Sequence, residues 1–238
     1  HAFKGMGMHE NALECMLSAQ STHICKMFLT EHRDLCQSYV YSEGNVALIL
    51  NRDGNTQVSY ESVSGLCGPE LFGQLESKLP KVAAFGAELL DAERIEPGEY
   101  EITTSPEVTG LIAHEAFGHG VEMDQFVKDR AMAKHCVGQY VASPITNMHD
   151  GAAAAHSVAS YFFDDDGVLA HDTQIIKDGI LVAGLSDLAS ATQLGTVPTG
   201  NGRRDSYKRK AYSRMTNTFF CPGTDKLEDM IASVKHGY

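Results

Sequence analysis

No stretch of this chain approaches the roughly 20 consecutive apolar residues that a membrane-spanning helix requires, so no span is predicted. The first five residues, His1-Ala2-Phe3-Lys4-Gly5, lack the charged and apolar blocks of a secretory signal. Positive charge is scarce as well. With 19 Lys and Arg against 31 Asp and Glu, the net charge is −12, which argues against a surface built to grip nucleic acid. None of the six cysteines (Cys15, Cys25, Cys36, Cys67, Cys136 and Cys221) belongs to a Cys-x-x-Cys pair. Their irregular spacing over a long chain predicts reduced thiols of a cytoplasmic protein rather than a disulfide framework. Gly65-Leu66-Cys67-Gly68 is followed by no Lys-Ser/Thr and is not a phosphate loop. Asp164-Asp165-Asp166-Gly167 lacks the spaced ligands and closing Glu of a calcium-binding loop, so a tight turn is the better reading.

What remains is an ordinary globular composition, 43% apolar and 21% charged over 238 residues. That length suits one large domain or two small ones. Residues 10–32 read as a helix, because Leu13, Met16, Leu17, Ile24, Met27 and Phe28 recur at three- and four-residue intervals. Short strands follow at 37–41, 46–51 and 56–60, with turns at Glu43-Gly44 and Asp53-Gly54. A helix near 69–92 carries Leu71, Leu75, Val82, Phe85 and Leu89, with Pro80 a potential break. Ile95-Glu96-Pro97-Gly98 reads as a linker, dividing an N-terminal region 1–95 from a C-terminal domain 96–238. Beyond it, 98–104 alternates like a strand, and Ile175–Val182 reads as a hairpin turning on Asp178-Gly179.

The densest chemistry lies in His114-Glu115-Ala116-Phe117-Gly118-His119. Two imidazoles and a carboxylate within six residues are the donor types of a zinc hydrolase. Ser105 and Pro106 are a plausible cap and first residue of the helix that carries them. The spacing is unusual. Histidines five apart diverge by about 140° on a regular α-helix, at about 100° per residue. A π-bulge would bring them nearly into line. Alternatively the helix ends near Gly118 and His119 swings back, which Gly118 and Gly120 permit. Histidines with no metal are also common, and this chain has 11.

A second constellation is Thr199-Gly200-Asn201-Gly202-Arg203-Arg204. Gly-Asn-Gly can bring backbone donors to a ligand, and two guanidiniums can grip carboxylates or carbonyls; a solvated turn is the equal alternative. Lys208-Arg209-Lys210, between Tyr207 and Tyr212, is a short basic cluster and a weak nucleic-acid signal in an acidic chain.

Taken together, Gly110–Glu122, Pro198–Tyr207, Arg214–Thr218 and Pro222-Gly223 resemble the TldD/PmbA (TldD/TldE) family of zinc metallopeptidases, and the His-Glu-x-x-x-His signature resembles its TldD-like subunit. The resemblance implies an α+β fold, with an N-terminal helix and strand region and a C-terminal β-rich, metal-bearing domain. It implies Zn²⁺ on His114 and His119, Glu115 as general base, and a third ligand, a cysteine, at a position past Tyr238. It also implies a homodimer, or a heterodimer with a TldE/PmbA-like homologue, that hydrolyses unfolded peptides. From the chemistry of the loop, Gly200, Asn201, Arg203 and Arg204 are expected to bind the peptide. The rival expectation is a non-catalytic peptide-binding or assembly subunit of the same fold, which the acidic surface and the absent third ligand favour. A DNA-associated regulator is disfavoured by charge.

Overall fold

The computed structural model describes residues 6–238; the pentapeptide that was read for a signal lies outside them. Two compact units divide the chain: residues 1–25 with 38–97, and residues 26–37 with 98–238.

The first unit is a three-stranded sheet backed by one long helix. Its strands are β1 (Ala12–Leu29), β2 (Asp34–Arg52) and β3 (Asn55–Gly65), in the order β1-β2-β3, with residues 26–29 of β1 and 34–37 of β2 belonging to the second unit. The antiparallel β2–β3 register closes at Arg52↔Asn55 over Asp53 and Gly54, both at positive φ (52° and 86°), as a two-residue hairpin loop demands. Val46, Leu48 and Leu50 alternate into the core. After a 3-10 turn at Pro69–Gln74, helix α1 (Leu75–Asp91) lays Leu75, Leu79, Val82, Ala83 and Leu90 on that face.

Three expectations need correcting here. Residues 10–32 are strand rather than helix. From Thr22 to Phe28 every second residue is the more buried, and Ser18–His23 carries no apolar residue larger than Ala19, which gives a helix no continuous stripe. Glu43-Gly44 is not a turn. It lies inside β2, where a Cβ on Gly44 would stand 3.1 Å from Leu75 and 3.2 Å from the Ser18 carbonyl, so the glycine serves close approach. Pro80 does not break α1. It sits on the exposed side, and packing of the apolar stripe outweighs a cost of about 3 kcal/mol.

The second unit carries helix α2 (Pro106–Ile112), a π turn (Ala113–Gly118), a 3-10 turn (His119–Val121) and the short helix α3 (Met123–Val127). Further on come strands β4 (Met148–Asp150), β5 (Thr173–Lys177) and β6 (Ile180–Leu181), helix α4 (Leu188–Leu194), strands β7 (Gly202–Arg203), β8 (Tyr212–Ser213) and β9 (Thr218–Phe220), and helix α5 (Leu227–Ser233). Four strands form a sheet in the order β6-β5-β4-β9. Its core is Met148, Ile175, Ile176 and Leu181, with Ala113, Val121 and Met215 packed alongside. The β5–β6 hairpin turns on Asp178 and Gly179 (φ 48° and 80°), as the sequence predicts. Asp164–Gly167 is a turn, with Gly167 at φ 73° and the buried Asp164 accepting from the amides of Asp166, Val168 and Gly202. Residues 98–104 do not form a strand of a sheet. Among the described residues their one ladder is a parallel bridge from Glu101 to Gly237. Among the described residues no helix is long and apolar enough to cross a membrane, and all six thiols are free.

Candidate metal centre

Helix α2 starts as its sequence dictates. The Ser105 hydroxyl accepts from the Val108 amide at 3.5 Å, and Pro106 occupies the first turn, where its missing N–H costs nothing. The helix then widens. The His119 amide donates to the His114 carbonyl, an i to i−5 bond closed between the two histidines themselves. Of the two routes open from sequence, the π turn is the one taken.

The extra residue in that turn brings the rings together. His114 Nε2 and His119 Nε2 stand 3.1 Å apart, with ring centroids at 4.6 Å and planes at 86°. Two nitrogens at that distance either share a proton or share a cation. Tetrahedral zinc with Zn–N of 2.0–2.1 Å holds its ligands about 3.3 Å apart, so the donors fit that ion. A carboxylate oxygen of Glu115 joins them, all three donor atoms lying within 4.8 Å of one another. His119 and Glu115 are exposed and His114 is half-buried, so an ion and a substrate have access.

A second layer, missed from sequence, stands behind the rings. Glu122 is buried, with Oε1 3.5 Å from His119 Nδ1 and Oε2 accepting from Arg214 Nη1 at 3.2 Å. Its Oε1 has no hydrogen-bond partner among the described residues, which leaves it aimed at the imidazole. Burial pushes the Glu122 carboxyl up from its ordinary range, and the Arg214 guanidinium opposes that shift. A carboxylate behind a ligand histidine fixes the tautomer that leaves Nε2 free for a metal. The available signal was Glu122 three residues after His119, one turn along a helix.

The Gly200–Arg204 loop sits differently from its expected role. Asn201 is buried, donating to Asp150 Oδ1 at 2.7 Å and to the Arg214 carbonyl at 3.0 Å. Gly200 accepts from the Tyr161 hydroxyl, and the Gly202 amide donates to Asp164. The Asn201 and Gly202 amides are thus used internally, on the Ser186 carbonyl and on Asp164, because a buried polar group must be satisfied. Gly200 and Asn201 are taken up by the fold, while the Arg203 and Arg204 side chains remain exposed. Asp150, fully buried, also accepts from the Thr216 amide and the Thr216 and Thr218 hydroxyls. That hub holds the 214–218 segment, whose Met215 packs on Gly118 and whose Arg214 reaches Glu122.

Convergent imidazoles with an adjoining carboxylate, on a widened helical turn beside a small sheet, form the donor set of a metallopeptidase. Residues 97–238 match the family model described as the PmbA/TldA metallopeptidase C-terminal domain. The chain belongs to the PmbA/TldD metallopeptidase family. It is 39% identical over 128 residues to a "Metalloprotease TldD homolog" of Haemophilus influenzae, covering 54% of this chain and 27% of that protein. A metalloprotease of Synechocystis is 33% identical over 188 residues (78% and 41%), and a "Zinc metalloprotease TldD homolog" of Saccharolobus solfataricus is 29% identical over 207 (84% and 43%). The chain therefore spans less than half the length of these relatives. The fold is shared with a Thermotoga maritima protein described as a modulator of a DNA gyrase (TM-score 0.77, 21% identity, 96% of this chain and 53% of that one). It is shared also with TldE from Thermococcus kodakarensis (TM-score 0.74, 19% identity, 98% and 54%).

Proposed function

We propose that the protein containing this chain is a zinc-dependent peptidase that hydrolyses unfolded peptides. The observation that carries the reading is the 3.1 Å approach of His114 Nε2 to His119 Nε2 with Glu115 beside them. His114 and His119 would hold the ion, with a cysteine past Tyr238 as third ligand. Zinc, when bound, supplies Lewis acidity, polarising a carbonyl and lowering the pKa of water towards 7. Glu115 takes the proton of the attacking water on a carboxylate oxygen and delivers it to the departing amine. Glu122 holds the His119 ring in the tautomer that leaves Nε2 unprotonated. Arg203 and Arg204 face the peptide, while Gly200 and Asn201 hold their loop in place. The partner is a second copy or a TldE/PmbA-like homologue, and the six free thiols support a reducing, cytoplasmic compartment.

In the full-length protein, Glu115→Gln should cut cleavage of an unfolded peptide about 10²- to 10⁴-fold and leave zinc content unchanged by elemental analysis. His114→Ala should release the metal. Cleavage by Glu115→Gln at the wild-type rate would refute the base assignment. A wild-type protein that holds no zinc and cleaves nothing would instead be the binding or assembly subunit.

A further inference from the structure

Residues 203–214 concentrate the positive charge that the rest of the chain lacks. Six of the 19 Lys and Arg residues fall in these twelve positions, against one acid, Asp205, in a chain of net charge −12. Positions 203–210 are all exposed. At the end of the run, Tyr212 gathers Lys210 Nζ at 4.8 Å, Lys128 Nζ at 5.3 Å and Arg214 Cζ at 5.4 Å from its ring centroid. Two of these cations are matched by acids: Lys128 by Asp124 at 2.7 Å, and Arg214 by Glu122 at 3.2 Å. Among the described residues no carboxylate forms an ion pair with Arg204, Lys208, Arg209 or Lys210. Asp165 accepts from the Arg204 amide and is itself paired with Lys26, and the other acids against the run, Glu122, Asp124 and Asp187, meet its last two residues, Ser213 and Arg214. The ring face offsets part of the repulsion among the cations, and the remainder is a local positive potential.

That potential adjoins the metal centre through direct contacts. Arg214 touches Glu122, Glu122 faces His119, and Met215 packs on Gly118. We infer that the basic run 203–214 binds carboxylates of the peptide, so that the substrates preferred are those presenting negative charge near the scissile bond. The inference rests on the peptidase reading and names its substrate class. A short peptide lies within one Debye length of the run, about 8–10 Å, and is screened from the acidic remainder of the surface. A nucleic acid is longer than that patch and would meet net charge of its own sign, so a peptide is the occupant that the charge distribution favours.

The test is fluorescence anisotropy with the full-length protein, metal-free and zinc-loaded, and labelled ten-residue Gly/Ser peptides carrying either two Glu or two Gln. With both peptides amidated, the Glu form should bind about three- to tenfold more tightly at low salt, with the gap closing as salt rises. Comparing free and amidated forms of the Gln peptide tests the terminal carboxylate separately, and a gap in either comparison supports the inference and names the source. Lys208→Glu with Lys210→Glu should abolish the gap. Lys208→Gln with Lys210→Gln should reduce it, which guards against a charge-reversed protein that fails to fold. Equal affinities in both comparisons overturn the inference, as does a ten-nucleotide single strand that binds more tightly than the Glu peptide. Binding is read without metal, so this failure is distinct from loss of the peptidase reading, which Glu115→Gln tests.

Discussion

Glu122 and Asn201 show how a side chain's neighbours decide its role. A glutamate at the surface contributes little, but Glu122 is buried with Oε1 3.5 Å from His119 Nδ1, the place from which we propose it orients a candidate ligand. Glu122→Gln should lower zinc affinity about tenfold or more in chelator competition, because the amide holds the imidazole less firmly and contributes no charge. Unchanged affinity would remove the orienting role. Asn201 looks in sequence like a residue that meets a ligand, since it lies in a Gly-Asn-Gly loop beside two arginines. Its side chain instead joins Asp150 to the Arg214 carbonyl, which no local pattern reveals, because Asp150 is 51 residues away. Asn201→Asp would place a second carboxylate against the buried Asp150. One carboxyl of that pair must then have a folded pKa above its unfolded value, so the variant carries a penalty at neutral pH that falls as acidification supplies the proton. Chemical denaturation should find it about 2 kcal/mol or more less stable than wild type at pH 7, with the difference narrowing below pH 5. A pH-independent difference would show that repulsion is not the cause.

At the scale of elements, the turn that makes the site was legible and much of the scaffold was not. Histidines five apart can converge only if the helix widens or ends, and local sequence leaves both routes open; in the folded chain Gly118 of the wide turn lies against Met215, from a segment far away in sequence. The cap at Ser105 and the two Asp-Gly hairpins follow from local chemistry, and the helix expected near 69–92 is present from Leu75 to Asp91, preceded by a 3-10 turn at Pro69–Gln74. β1 departs from the helix its sequence suggests because its apolar residues fall at helical intervals while its burial alternates by two from Thr22 to Phe28. Only pairing with β2 selects the second period. Gly118→Ala tests the contact that stabilises the wide turn. Its Cβ would overlap the Met215 sulfur, forcing a buried side chain to move. A loss of about 1–3 kcal/mol is expected in chemical denaturation, with part recovered in Gly118→Ala/Met215→Ala, since the smaller partner makes room. Equal losses with and without Met215 would mean that the glycine serves the backbone alone.

At the scale of the whole molecule, the central question is whether the ring pair is a metal site or a hydrogen-bonded ornament, and linkage answers it without any substrate. An ion that binds the folded rings and not the separated ones must stabilise the fold by RT ln(1 + [L]/Kd), about 2.7 kcal/mol at a free concentration 100 times Kd. For a unit of this size each kcal/mol moves the melting temperature by about 2–4 °C, so zinc should raise the transition of the second unit, residues 26–37 with 98–238, by about 5–10 °C in calorimetry. Six thiols and 11 histidines of the unfolded chain also bind zinc and reduce the shift, so it is a lower bound on the site's own affinity. The controls separate ligand from base. His114→Ala and His119→Ala should each remove the shift, whereas Glu115→Gln should keep it, because proton transfer is not needed to hold the ion. If zinc stabilises His114→Ala and His119→Ala as much as wild type, the metal binds elsewhere, and the 3.1 Å approach of the two rings is a shared proton and nothing more.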